Sequence, residues 1–320
     1  MRPNRKQDRR CTYVVALSSS LSSSTDSFDL RSFAEYLSTL GVSGCEVIVL
    51  DSSDEIDEHR RILRWVARHV VVHEPADVVR TAASVASCDK IVIATENVRY
   101  NVADLTELCA LLDAHEIVEA QDYLEPLPWW GGIDAGRMLI HRGIDPHPDR
   151  SATFGFRRSI LRGLRGFDAT GSSDPVGVLA LHGAEVVTAP ELFVRRCPPQ
   201  LREWIRERPR EADLDFNVPV KAAFFFALIP MAILLAFVGD GRVAVGYSGA
   251  VAFASIVLAV RGRIGAGAFF PLRACLFAPL WVFERSVSVY WALLQRMRGT
   301  VIEQPAAIAT QRSTRAASGE

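Results

Sequence analysis

The sequence predicts an α/β domain built on a mostly parallel sheet, followed by a hairpin of membrane-crossing helices and by helices lying in the membrane interface. Three observations predict it. Short β-branched runs alternate with helix-length segments through the first hundred residues. The apolar share of the chain, 49%, is high for a purely soluble protein, and the excess crowds after residue 217. Arginines gather on both flanks of that apolar region.

The strand candidates are Tyr13–Leu17, Val47–Leu50, Val70–Val72 and Ile91–Ala94. Each is apolar on both faces, as expected of parallel strands covered on both sides. The segments Leu30–Leu40, Glu55–Arg68 and Ala76–Ala86 read as the intervening helices. This alternation predicts a doubly wound sheet with helices on both faces. Such sheets bind ligands beyond the carboxyl ends of their strands, which nominates Ser18–Ser20, Asp51–Asp54 and Thr95–Asn97. A carboxylate at Asp51 suits a base or ribose, and it equally suits an Asx turn or a helix cap leading into Glu55. Oxygen ligands at Glu96 and Asn97 suit a hard divalent cation, and the same residues suit a loop-to-helix cap. The chain contains neither GxGxxG nor GxxxxGK[ST], so the ordinary phosphate loops are missing from it.

Ala222 to Val238 is a nearly unbroken apolar run, long enough to cross a bilayer with help from its flanks. Pro230 within it is tolerable where neighbouring helices satisfy the freed backbone groups. Gly239, Asp240, Gly241 and Arg242 form a polar turn, and Val243 to Val260 is a second run of spanning length. The predicted spans are thus about 219–238 and 243–260. Arg195, Arg196, Arg202, Arg206, Arg208 and Arg210 precede the first, while Arg261 and Arg263 follow the second. The positive-inside bias then puts both termini and the N-terminal domain in the cytosol of a multi-pass cell-membrane protein. Residues 269–298 are interrupted by Pro271, Arg273, Pro279, Glu284 and Arg285. Their apolar residues Leu276, Leu280, Phe283, Val287, Trp291 and Leu294 recur at helical spacing. That pattern predicts helices lying in the interface, with a third span as the alternative.

The ends read differently. Residues 1–11 are basic and polar, and the following apolar stretch is too short for a secretory signal. Residues 299–320 lack periodicity and read as a disordered tail. The predicted organisation is therefore a disordered start at 1–11, a cytosolic domain at 12–215, a membrane module at 216–298 and a tail at 299–320. A net charge of −1 gives no case for nucleic acid as a partner. The six cysteines form no CxxC pair and no His stands at zinc spacing, so reduced thiols are expected.

Four segments, in order, resemble the family 2 glycosyltransferases, nucleotide-sugar-dependent enzymes of GT-A (Rossmann-like) fold. They are Glu46-Val-Ile-Val-Leu-Asp51, Lys90-Ile-Val-Ile-Ala-Thr-Glu-Asn-Val-Arg-Tyr100, Thr153-Phe-Gly-Phe-Arg-Arg-Ser159 with Gly166-Phe-Asp168, and Val178-Leu-Ala-Leu-His-Gly-Ala-Glu-Val186 with Ala189-Pro190. The resemblance covers residues 12–215, and membrane-attached members extend it through C-terminal helices. It implies a nucleotide-sugar donor, a lipid or polyprenyl-type or other membrane-proximal acceptor, and a divalent cation, Mg²⁺ or Mn²⁺. It implies donor binding by Asp51, Thr95, Glu96 and Asn97, with Glu96 and Asn97 as the metal ligands. The motifs are degenerate. Thr95-Glu-Asn97 stands where the family has Asp-x-Asp, leaving Glu96 as the one carboxylate. Gly171 and Ser172 stand where the family has Glu-Asp, so Asp174, two residues on, is the candidate base; it is equally the cap of a helix opening at Pro175. Gln200-Leu-Arg-Glu-Trp204 resembles the Gln-x-x-Arg-Trp motif, with Glu203 in the Arg position and Arg202 beside it. Gln200, Arg202 and Trp204 are thereby implied on the acceptor side. Trp129 and Trp130, in a stretch with two prolines, suit stacking on a sugar or lipid and equally suit anchoring a loop by burial. A metal-independent enzyme would instead neutralise the diphosphate with arginines such as Arg99, Arg157 or Arg158. A second reading is a catalytically inactive relative that binds a nucleotide sugar, a lipid or a partner.

Overall fold

The computed structural model describes residues 10–17, 29–53, 55–72, 78–145, 153–162, 175–216, 218–239 and 241–298. The predictions for the chain ends, Ser18–Ser20, Asp54, Asp168, Asp174 and Asp240 lie outside these residues. The chain forms two compact units, Met1–Glu125 with Arg150–Cys197, and Pro126–Asp149 with Pro198–Glu320. Residues 126–149 and 198–215, read from sequence as part of one domain over 12–215, therefore group with the apolar helices.

The first unit holds β1 (Thr12–Leu17), α1 (Leu30–Val42), β2 (Glu46–Asp51), α2 (Ile56–Leu63), β3 (Arg68–Val71), α3 (Val78–Val85), β4 (Lys90–Thr95), β5 (Val98–Arg99), α4 (Val102–Ala114) and β6 (Ile117–Leu124). The unit is completed by β7 (Thr153–Arg157), α6 (Pro175–Leu181) and β8 (Val186–Arg196), with α5 (Trp129–Ile144) lying in the second unit. One eight-stranded sheet runs β3-β2-β1-β4-β7-β6-β8-β5. Strands β1, β2, β3 and β4 pair in parallel, as do β6 and β8, while β7 and β5 run antiparallel to their neighbours. This is the mostly parallel α/β sheet that the strand–helix alternation predicts.

Local chemistry sets the element ends. Asp29 caps α1 by accepting from the Arg31 N–H at 3.0 Å, and Asn101 caps α4 by accepting from the Asp104 N–H at 2.8 Å. Gly44, with φ of 95°, takes the left-handed conformation that ends α1 and turns the chain into β2. The helix expected over 55–68 stops at Leu63, because Val66 and Ala67 both donate to the Leu63 carbonyl and the chain re-enters the sheet at Arg68. Along β1, Tyr13, Val15 and Leu17 pack with Phe33, Leu37 and Leu40 of α1 and Leu105, Leu108 and Leu112 of α4. The alternate residues Val14, Ile48, Leu50 and Ile91 are buried as well, so both faces of the sheet are covered.

The second unit holds α5 (Trp129–Ile144), α7 (Leu201–Asp215), α8 (Pro219–Val238), α9 (Gly241–Arg263), a 3-10 turn (Leu272–Phe277) and α10 (Ala278–Met297). Helices α8 and α9 are long and apolar enough to cross a membrane, and both are largely uncovered by the rest of the chain. A core helix of a soluble domain would be mostly covered. Helix α5 crosses α9 at backbone contact. A Cβ on Gly143 would lie 2.2 Å from the Leu258 carbonyl oxygen, and one on Gly262 would lie 1.9 Å from that of Leu139. Glycine at both positions permits this approach, because any side chain there would meet the facing backbone. Helix α10 presents two faces. Trp281, Arg285, Ser288 and Ala292 are buried, whereas Leu280, Val287, Trp291 and Leu294 are each about half exposed. The periodic apolar residues read from the sequence thus lie on the uncovered face.

Candidate functional site

The strand order reverses at β1, which has β2 on one side and β4 on the other. The carboxyl ends of these strands are where a sheet of this kind takes a ligand. Asp51 ends β2, and its side chain is fully buried. Its Oδ1 accepts from the Ser53 N–H at 2.9 Å and from the Ser53 hydroxyl at 2.6 Å. Its Oδ2 lies 3.0 Å from His59 Nδ1 and 2.7 Å from His69 Nε2. An ionised carboxylate only accepts, so both imidazoles donate to it and their tautomers are set. Burial pushes the Asp51 carboxyl up. The hydrogen bonds from His59, the Ser53 hydroxyl and N–H, and His69 outweigh burial and hold it well below the usual carboxylate range. The bond to Ser53 N–H is the Asx turn that the sequence left open beside base recognition.

Thr95 ends β4, is exposed, and donates its hydroxyl to Asn97 Oδ1 at 2.6 Å. Glu96 and Asn97 are half-buried. The segment is pinned from behind. Strand β5 pairs antiparallel with Arg195 and Arg196 of β8, and the Cys197 N–H donates to the Asn97 carbonyl at 2.8 Å. The Tyr100 N–H donates to the Tyr36 hydroxyl at 2.8 Å, and Tyr36 donates in turn to Tyr13 at 3.2 Å. The Arg99 guanidinium lies over the rings of Phe33 and Tyr36, 4.8 and 5.1 Å from their centres, and donates to the carbonyls of Glu96 and Val98. Arg158 donates to the Ala86 carbonyl at 2.8 Å. Both of these arginines therefore have structural partners.

The donor set for a cation here is one carboxylate, Glu96, and one amide oxygen, Asn97, which already accepts from Thr95. Among the described residues no group of three or more His, Cys, Asp or Glu side chains gathers to hold a metal ion. This set fits Mg²⁺ or Mn²⁺ only with a ligand diphosphate supplying further oxygens.

The residues implied on the acceptor side all belong to the second unit. Trp129 and Trp130 open helix α5 rather than forming a loop before it, because Pro128 is extended and starts the helix as its cap. Trp129 is exposed, and Trp130 donates its indole N–H to the Pro199 carbonyl at 3.1 Å. Gln200 begins α7 by accepting from the Trp204 N–H at 2.8 Å, and Arg202 is exposed. Trp204 is buried. Its indole N–H donates to Asp134 Oδ2 at 2.9 Å, and Arg208 stacks on its ring at 4.4 Å while donating to Asp134 Oδ1 at 2.9 Å. Arg208 also donates to Glu211 at 2.9 Å, and Glu211 accepts from Arg285 of α10 at 3.1 Å. A ladder of buried charges thus joins α5, α7 and α10. Sequence reading singled out Trp204 and missed Asp134 as its partner, 70 residues away. It also missed His59 and His69. Leu63, one turn beyond His59, is buried on the same face of α2, which was the one available signal.

No protein-family model and no curated protein sequence matches the chain. Among solved structures it is similar to glucosyl-3-phosphoglycerate synthase of Mycobacterium tuberculosis. In the complex with Mn²⁺, UDP and glucosyl-3-phosphoglycerate the identity is 17%, over 62% of this chain and 76% of that one, with a TM-score of 0.39. In the complex with Mn²⁺, UDP and phosphoglyceric acid the identity is 15%, over 62% and 74%, with a TM-score of 0.40. Against the bifunctional IspDF of Campylobacter jejuni the identity is 8%, over 56% and 49%, with a TM-score of 0.35, so this chain spans about half of that protein. The fold assignment rests on the sheet order itself.

Proposed function

We propose that the chain is a membrane-bound glycosyltransferase that moves a sugar from a nucleotide-sugar donor to a lipid or polyprenyl-type acceptor. The observation that carries this reading is the position of Thr95-Glu-Asn97. It stands at the carboxyl end of β4, beside β1 at the reversal of strand order, pinned by the β5–β8 pairing. That is where a sheet of this class takes a nucleotide, and where the resemblance to family 2 enzymes puts the donor diphosphate. A lipid acceptor is supported by a second fact: Trp129, Trp130, Gln200, Arg202 and Trp204 share one compact unit with α8 and α9.

In this reading the acceptor hydroxyl attacks the anomeric carbon, the bond to the diphosphate breaks, and the hydroxyl proton passes to a base, for which Asp174 is the candidate. Glu96 and Asn97 would hold Mg²⁺ or Mn²⁺ together with the diphosphate, and the cation would supply charge neutralisation for the leaving group. Asp51 acts on the donor by fixing the Ser52–Ser53 turn. Helices α8 and α9 span the membrane, the exposed face of α10 lies in its interface, and the flanking arginines keep both termini in the cytosol. Impermeant cysteine labelling of intact cells tests the orientation: reaction near Arg210 overturns it, and reaction confined to the 239–242 turn supports it.

A specific observation favours a second reading, a non-catalytic relative that binds a nucleotide sugar. The Thr95 hydroxyl already donates to the Asn97 oxygen, taking one of the two lone pairs on which a metal would draw. Purified protein incubated with several nucleotide sugars, with and without Mn²⁺, separates the two. Transfer or donor hydrolysis supports the enzyme. Uridine diphosphate binding without turnover supports the second reading, and neither binding nor turnover overturns both.

A further inference from the structure

At the opposite, amino end of the sheet, three of the six cysteines converge from distant parts of the chain. Cys11 stands just before β1, Cys45 just before β2, and Cys109 on α4. The first register pair of the two strands is Thr12 with Glu46, and the Glu46 N–H donates to the Cys11 carbonyl at 2.9 Å. Cys11 and Cys45 are therefore direct neighbours on adjacent strands. Their sulfurs lie 3.4 Å apart, with the Cys11 thiol donating to Cys45. Cys109 forms a second thiol contact to Cys11. All three are buried. A small pocket lined by Arg10, Ser43, Thr106 and the three thiols reaches them.

We propose that Cys45 and Cys11 form a peroxide-reactive thiol pair, Cys45 being the nucleophile and Cys11 the thiol that resolves it. This does not depend on the glycosyltransferase reading. The Cys45 sulfur accepts the Cys11 S–H, lies near the Ser43 hydroxyl at 3.9 Å, and faces the charge of Arg10 across the pocket. The Cys11 hydrogen bond pulls the Cys45 thiol down, against burial, to about 7, with Ser43 and Arg10 adding to the effect. Cys11, which donates, is pushed up by its two sulfur neighbours and by burial, so it remains a thiol. A thiolate beside a resolving thiol is the arrangement of oxidisable pairs.

The step balances with a hydroperoxide as oxidant. The Cys45 thiolate attacks one peroxide oxygen, the O–O bond breaks, and hydroxide leaves and takes a proton to become water. The product is the Cys45 sulfenic acid. The Cys11 sulfur then attacks the Cys45 sulfur while its proton passes to the departing oxygen, the S–O bond breaks, and a second water departs. Two thiols and one hydrogen peroxide give one disulfide and two waters. Neighbouring strands lie about 4.8 Å apart. A disulfide spans Cα atoms roughly 4.4–6.8 Å apart, so it can form without separating the strands.

The test treats the full-length protein in detergent with a small excess of hydrogen peroxide at neutral pH, followed by intact mass and peptide mapping. Loss of about 2 Da, reversed by dithiothreitol and mapped to Cys11–Cys45, is expected. Cys45→Ser should abolish that disulfide, and Cys11→Ser should leave a Cys45 sulfenic acid that dimedone traps. A disulfide mapped to Cys11–Cys109, or oxidation only at the more exposed Cys88 and Cys197, overturns the proposal. If Cys45→Ser fails to fold, the wild-type map decides alone: unmodified Cys11 and Cys45 after peroxide overturn the pair.

Discussion

His69 on β3 donates its Nε2 hydrogen to Asp51 at the end of β2, across 2.7 Å. With His59 and Ser53 on the same carboxylate, Asp51 is a clamp that closes β2, α2 and β3 on one buried charge. Asp51→Asn removes the anion and turns an amide hydrogen toward donors that need an acceptor. Hydrogen bonds to a charged group contribute about 1.5–3 kcal/mol each, so the variant should lose at least that in chemical denaturation. Its affinity for uridine diphosphate should fall only as far as the turn loosens. Unchanged stability with a large loss of diphosphate affinity would mean that Asp51 contacts the nucleotide itself.

The same clamp sets an acid sensitivity. The folded carboxyl sits well below its usual range, whereas an unfolded Asp titrates near 3.9, about the model-peptide value. The stabilisation is therefore complete above about pH 4 and is lost as pH falls through the folded value. Unfolding free energy measured by denaturant between pH 6 and strong acid, roughly the window of linkage, should fall more steeply below about pH 4 for wild type than for Asp51→Asn. Parallel curves would show that Asp51 is not the group responsible.

The crossing of α5 and α9 makes a prediction about glycine. A methyl group at residue 262 would stand 1.9 Å from the Leu139 carbonyl oxygen, a backbone atom that cannot turn aside. Gly262→Ala should therefore cost at or beyond the upper end of the ~1–3 kcal/mol usual for overpacking. Gly249, on the same helix, has open space around its Cβ position, so Gly249→Ala is the control. Thermal unfolding in detergent compares them. Equal melting temperatures would contradict the close crossing.

The Trp204–Asp134–Arg208 group separates a structural from an acceptor-contacting tryptophan. Trp204→Phe keeps the ring under Arg208 but leaves Asp134 Oδ2 without its 2.9 Å donor. An unsatisfied buried acceptor costs about 1–3 kcal/mol. Arg208→Met should cost more, roughly 3–5 kcal/mol, because it strands the Asp134 charge. Combined with Asp134→Asn it should cost less than the sum, as coupled neighbours do. If Trp204→Phe melts as wild type yet lowers transfer, the indole serves the acceptor instead.

The contrast between what was and was not legible in the sequence follows from range. Strands β1, β2 and β4 announced themselves because burial on both faces makes a run apolar throughout. Helices α8 and α9 did so because spanning length needs no partner to be seen. The grouping of α5 with α9 was hidden: Gly143 and Gly262 acquire meaning only when two backbones meet. The donors to Asp51 lie 8 and 18 residues away, and the partner of Trp204 lies 70 away. The thiol pair was invisible for the same reason, since adjacent strand starts, not a CxxC spacing, bring Cys11 to Cys45. Motif order located Thr95-Glu-Asn97 at a strand end, but the hydrogen bond that occupies Asn97 needed coordinates.

Glu96 is the residue on which the metal assignment turns. It is the one carboxylate in Thr95-Glu-Asn97, and Asn97 already accepts from Thr95 at 2.6 Å. Mg²⁺ and Mn²⁺ are commonly held by one or two carboxylates plus substrate phosphates, so cation affinity here must come mainly from Glu96 and the donor. Glu96→Gln is nearly isosteric and sits in a half-buried turn after β4, away from the sheet's apolar layers, so the melting temperature should hold. Metal-stimulated donor binding and turnover should disappear across a Mn²⁺ titration. Thr95→Val makes the complementary change: it frees the Asn97 oxygen and should tighten Mn²⁺ dependence rather than abolish it. Turnover that needs no Mn²⁺ and survives Glu96→Gln would sink the metal assignment. It would move the neutralising role to an arginine, and Arg99 on β5 is the one to substitute next, because Arg157 pairs with Lys90 at the amino end of β4, away from Thr95, and Arg158 adjoins it.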